Sequence, residues 1–245
     1  MSYSEEKKKA IIDKRYPLAA KYDPEWQLEN EMGSPCLWLV ESLTQKMDLK
    51  PGMRVLDMGC GKAISSIFLA KEFGVQVFAN DLWVNASENW QRICDAGVDK
   101  LVCPIQAEAH ALPYADGFFD AAISVNSYQF FGTADNYFNE YFGKLIKLDS
   151  QIGFALPGIY QEFADLVPDY LTEYWWSDFY YFHSFDWWER HFRRCNSVDI
   201  EFIDDFDGEG NNMMIKWEPI PDRMKLVRID NGRNLSWIRM VLKKK

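Results

Sequence analysis

Between residues 54 and 156, short runs suited to strands alternate with segments of about ten residues at helical spacing. RVLDM (54–58), VQVFAN (75–80), LVCPIQA (101–107), DAAISVN (120–126) and QIGFAL (151–156) read as strands. AISSIFLAKEF (63–73), SENWQRICDAG (87–97) and DNYFNEYFGKLIKL (135–148) read as helices. A chain built this way has few options. Its strands run parallel, joined by right-handed crossovers, with helices covering both faces of the sheet. Every strand then ends on one edge, which is where such sheets bind ligands.

The flanks add to this frame. Helical segments are expected over 5–14 and 35–48, with Pro51 and Gly52 stopping the second. YDPEWQLENEMGSP (22–35) suits a loop better than a regular helix. Residues 160–195 form an aromatic-dense helical stretch, VDIEFI (198–203) and SWIRMVL (236–242) suit two further strands, and DGEGNN (207–212) reads as a solvated turn. The domain expectation is a helical lid segment over 1–50, a core over 51–159, an aromatic cap over 160–195 and a strand pair completing the sheet over 196–245. The formal charge of −10 argues against a nucleic-acid partner, since phosphate contacts require a basic face. Five cysteines without a C-x-x-C pair fit a reduced, cytoplasmic setting and no metal site. The charged N-terminus MSYSEEKKKA lacks the apolar stretch of a signal peptide, and no apolar run is long enough to span a membrane.

VLDMGCGKAISS (55–66) is a glycine turn between a strand and a helix, a form that holds cofactors. Three cofactor classes compete for it. A nucleoside-triphosphate loop needs glycine at position 56 and Ser or Thr at 63, where Leu56 and Ala63 stand. A dinucleotide loop needs a small residue at 64, where Ile64 stands, and Asp57 would repel a pyrophosphate at the helix N-terminus. A cationic cofactor turns that carboxylate into an asset. S-adenosyl-L-methionine carries a sulfonium and an ammonium, and the pattern acidic-x-Gly-x-Gly-x-small is present as Asp57, Gly59, Gly61 and Ala63.

Here the chain resembles the class I S-adenosylmethionine-dependent methyltransferases, over roughly residues 35–160, and most nearly the small-molecule group that includes the menaquinone, sarcosine and cyclopropane-type enzymes. The resemblance implies a Rossmann-like, seven-stranded, mostly parallel α/β sheet. It also implies that Asp81 accepts from the ribose hydroxyls and that Leu82 and Trp83 flank the adenine. In QAEAHALPYADGFFDAAIS, Glu108 would meet the adenine amino group and the Ala109 backbone its ring nitrogen. Asn126 would lie beneath the cofactor, and Gly33, in a lid, would approach the methionine carboxylate. The family usually has Asp at the place of Glu108 and often Gly at the place of Ala63.

The methyl acceptor is less constrained. About every second residue from 170 to 192 is aromatic, which suits a cap packed on the sheet edge and also a pocket for an amine or an apolar ring. His183, inside that stretch, is the first candidate for a general base, against a structural histidine. Tyr128, just beyond the fourth strand, is the second, against a core tyrosine. The expected activity is in-line methyl transfer to an N, O or C nucleophile of a small molecule, releasing S-adenosyl-L-homocysteine, with a homodimer allowed. An RNA or protein methyltransferase and a non-catalytic cofactor-binding protein are the alternatives.

Overall fold

The computed structural model describes residues 3–164, 166–217 and 221–245, without the side chains of 221–224. Seven strands form one sheet: β1 (Arg54–Met58), β2 (Gln76–Asp81), β3 (Val102–Gln106), β4 (Phe119–Val125), β5 (Ile146–Ile159), β6 (Val198–Asp204) and β7 (Leu235–Lys244). Their order is β3-β2-β1-β4-β5-β7-β6, with β7 antiparallel to both neighbours and every other pairing parallel. The order reverses between β1 and β4, and the loops leaving those two strands open a crevice at the C-terminal edge.

Two apolar layers sandwich the sheet, set by the two-residue period of the strands. Val55, Val77, Ala121, Ile123 and Val241 face a layer built by α3 (Cys36–Thr44), α4 (Ile64–Phe73), α5 (Ala86–Asp95) and α8 (Gly210–Lys216). Leu56, Met58, Ala122, Phe154 and Met240 face the opposite layer. There the packing comes from a single π-helical turn, Phe138–Phe142, and from α7 (Phe185–Arg194), which brings Trp188 and Phe192. The mostly parallel sheet with helices on both faces is as expected.

Local differences have physical causes. Residues 24–30 form a helix where a loop was expected: Asp23 accepts the Glu25 N–H at 3.0 Å, and Pro24 sits at the first helical position. The helix expected over 135–148 is cut short, because burying Tyr137, Phe138 and Phe142 together widens one turn and β5 already begins at Ile146. Residues 207–212 are only partly a turn. Gly210 and Asn211 are buried at the start of α8, where a Cβ on Gly210 would lie 2.7 Å from the carbonyl oxygen of Trp237. The stretch 160–195 is less helical than its composition suggests, holding one four-residue helix (Asp169–Thr172), a 3-10 turn (Ser177–Tyr181) and α7, which belongs to the sheet's covering layer. A helix over Pro221–Asp230 was not foreseen.

Candidate functional site

A cavity of about 600 Å³ lies in the crevice between the β1 and β4 loops. The glycine turn forms its floor. Gly59 and Gly61 have φ of +72° and +53°, in the left-handed region that favours glycine. A Cβ on Gly59 would meet Ser127 Oγ at 1.8 Å and its Cβ at 2.4 Å, so the two loops touch with no room for a side chain. Ala63 takes φ +61° at the N-cap of α4 and is fully buried.

Asp81, at the end of β2, lines this cavity and is nearly buried. Its Oδ2 accepts the Gly61 N–H at 2.8 Å, and Oδ1 accepts the N–H groups of Trp83 and Val84 at 2.8 and 2.9 Å. A carboxylate offers about four lone-pair sites, so about one remains for a ligand hydroxyl. Leu82 and Trp83 stand exposed on the wall beside it, with the Trp83 ring 6.3 Å from Phe130. Glu108, Ala109 and His110 line the next stretch of wall. Glu108 accepts the His110 N–H and contacts its Nδ1, each at 2.8 Å, and the Ala109 carbonyl accepts from Tyr137 Oη at 3.1 Å. Asn126, at φ +54°, lines the floor beyond β4.

Asp57 sits elsewhere than the turn's mouth. It is fully buried beneath the turn, where Ser65 and Ser66 each donate to Oδ2 at 2.6 Å while Oδ1 has no partner. Burial pushes its carboxyl up to about 6, against the two serine hydroxyls that pull it down. Ser65 itself lines the cavity, so Asp57 acts on that space through one intervening side chain. Gly33, with φ +93°, donates its N–H to Glu31 and lies between the lining residues Met32 and Ser34 without lining the cavity itself. Met32 reaches over the turn: a Cβ on Gly61 would come within 2.8 Å of its sulfur. Lys62 Nζ donates to the Glu29 carbonyl at 2.9 Å and Arg92 to Asn30 at 3.1 Å, tying this edge down.

Both candidate bases are placed away from the cavity wall. Tyr128 is a core residue: its ring packs on Phe154 at 4.1 Å and against Trp188 and Phe192, and its buried hydroxyl makes no hydrogen bond. Burial pushes that hydroxyl well above the ordinary phenol range. His183 pairs with Glu162 at 3.2 Å and stacks on Trp187 at 3.8 Å, bridging to Gly158 at the end of β5. In their place the wall carries residues that the sequence did not single out: Gln129, Phe130 and Phe131 after β4, and Asp178, Phe179 and Phe182 in and just after the 3-10 turn Ser177–Tyr181. Gln129 is one position from Tyr128. The 3-10 turn Tyr128–Phe130 sends the tyrosine into the core and its neighbour to the cavity.

The residues present suit S-adenosylmethionine. Glycine is required at the floor by its backbone and by Ser127, a carboxylate with a spare lone pair stands at the β2 end, and Asn80 Oδ1 is a buried, unpartnered acceptor in the same wall.

Comparison with known proteins agrees. A methyltransferase domain model matches residues 55–145. A demethylmenaquinone methyltransferase of Corynebacterium glutamicum is 32% identical over 120 residues, covering 46% of this chain and 48% of that protein. The sarcosine/dimethylglycine N-methyltransferase of Halorhodospira halochloris is 36% identical over 81 residues, covering 33% and 29%. The match to the demethylmenaquinone methyltransferase thus spans about half of that relative's length. Among solved structures, geranyl diphosphate C-methyltransferase of Streptomyces coelicolor superposes with a TM-score of 0.71 at 15% identity, covering 99% of this chain and 82% of that one. A Haemonchus contortus phosphoethanolamine N-methyltransferase gives 0.71 at 17% identity, covering 97% and 60%. At such identities the structures share the fold. By domain match, strand order and glycine turn together, residues 55–145 are similar to a methyltransferase domain, set in a sheet of the same fold as these solved methyltransferases.

Proposed function

We propose that the chain transfers a methyl group from S-adenosylmethionine to a small-molecule acceptor. One observation carries this reading: a single cavity is lined both by the glycine turn and by the rings of Phe130, Phe131, Phe179 and Phe182. Cofactor and acceptor would share that chamber. When bound, the cofactor supplies an electrophilic methyl group on a positively charged sulfur. The chain's part is to hold, align and keep water out. Gly59 and Gly61 let the backbone close on the methionine portion, Asp81 accepts a ribose hydroxyl, Glu108 and the Ala109 N–H meet the adenine edge, and Asn126 supports the floor. Leu82 and Trp83 cover the adenine. Gly33 sets the path of the edge that carries Met32 over the turn. The buried negative charge of Asp57 favours the cationic cofactor over a phosphate-bearing one.

The relatives named for demethylmenaquinone and sarcosine support an acceptor of metabolite size. The net charge of −10 weighs against RNA. The free cysteines suit a cytoplasmic setting, and among the described residues no helix is long and apolar enough to cross a membrane. The test is formation of S-adenosylhomocysteine by the full chain with a metabolite pool and, separately, with bulk tRNA. Product with the pool alone is expected; product with tRNA alone would overturn the small-molecule assignment.

A further inference from the structure

Gln129 is fully buried, forms part of the cavity wall, and has an acceptor oxygen with no partner. Its Nε2 donates to Asn126 Oδ1 at 3.2 Å, which fixes the amide. A buried acceptor left unpaired is unfavourable, and the cost is removed when a ligand donor arrives. The 3-10 turn that carries Gln129 packs against the turn Ser177–Tyr181. Asp178 lies on the wall next to Phe179, and the Phe179 and Phe182 rings meet at 5.1 Å and 54°. Ring faces and a carboxylate both attract a positively charged nitrogen. Among the described residues, the one ammonium on the wall, Lys62, is turned to the Glu29 carbonyl.

Resting on the methyltransferase reading, we infer that the acceptor is a primary or secondary amine bearing an apolar part, and that Gln129 is the residue that positions its nitrogen. Gln129 Oε1 accepts one N–H, leaving the nitrogen lone pair free to point at the methyl group. The lone pair forms the N–C bond as the C–S bond breaks. The C–S electron pair goes to sulfur, giving the thioether, and the new ammonium then loses its proton to water. An amide oxygen holds an N–H but cannot take a proton, so it suits an amine, which needs no base at the moment of transfer. A hydroxyl acceptor needs one. Asp178 draws the amine in at the mouth as its ammonium form, which gives one proton to water before the lone pair can attack.

The experiment uses the full chain and two matched probes, benzylamine and phenol. Each is titrated calorimetrically into protein saturated with S-adenosylhomocysteine, and each is assayed as acceptor with S-adenosylmethionine. Benzylamine is expected to bind at least tenfold more tightly than phenol and to be methylated. Gln129→Leu is expected to lose at least tenfold in both amine binding and kcat/KM while cofactor affinity is unchanged. Gln129→Glu, which keeps an acceptor oxygen, restores amine binding. Asp178→Asn, an exposed change that spares the fold, raises KM for the amine severalfold and leaves kcat alone. Preference for phenol, failure of benzylamine to bind the loaded chain, or a Gln129→Leu variant equal to wild type would overturn the proposal. Should Gln129→Leu not fold, an unchanged KM in Asp178→Asn overturns it equally. Failure to bind S-adenosylmethionine at all is a different result, and it would remove the methyltransferase reading itself.

Discussion

Asp57 shows how one carboxylate is shaped by its place in the fold. In the sequence it stands beside two glycines and reads as a ligand to a cationic cofactor. In the structure it is buried under the turn, held by Ser65 and Ser66, with its pKa raised from an ordinary 3.8 to about 6. Between those two values the carboxyl is protonated in the folded chain and ionised in the unfolded one. Raising the pH through that window therefore favours unfolding. Asp57→Asn lacks this titration. The stability of the variant relative to wild type is expected to rise by on the order of 2–3 kcal/mol from pH 4 to pH 7. Denaturant titrations at several pH values measure it, and parallel curves would show that Asp57 stays ionised throughout. The same residue marks what the sequence could not convey. Spacing gave its position on β1, but its depth depends on two serines eight and nine residues on.

At the scale of elements, the site is made where the β1 and β4 loops meet. Gly59→Ala would place a methyl group against Ser127 in a backbone conformation that costs an L-residue about 1–2 kcal/mol. With the clash added, a loss of roughly 2–4 kcal/mol in stability and a large fall in cofactor affinity are expected. Ser127→Gly in the same chain should recover part of both. Equal losses in the single and double variants would mean that the two loops do not press on each other. The glycine turn, the β2 carboxylate and the Glu108–Ala109 stretch were legible because each follows a strand at a fixed spacing. The Gln129 wall was not. SVNSYQFF offers two polar side chains side by side, and only the turn at Asn126 and the 3-10 geometry after it decide that Gln129 faces the cavity and Tyr128 the core. His183 fails as a legible base for a similar reason. Its pairing with Glu162 depends on a segment that returns from across the sheet edge.

Over the whole molecule, the parallel sheet covered on both faces is the part that the alternation of strands and helices dictated most directly, because parallel neighbours need crossovers that lay helices on the sheet. The antiparallel β7 between β5 and β6 completes the apolar layers on both faces without altering the edge where the cavity lies. What that edge holds is the central claim. The most direct measurement is a calorimetric titration of the full chain with S-adenosylmethionine, alongside NADH and ATP, repeated with a folded Asp81→Ala variant. Binding of S-adenosylmethionine alone is expected, weaker by about 1–3 kcal/mol in the variant through loss of charge-assisted hydrogen bonds. Tighter binding of NADH or ATP, or no heat with S-adenosylmethionine, would contradict the account.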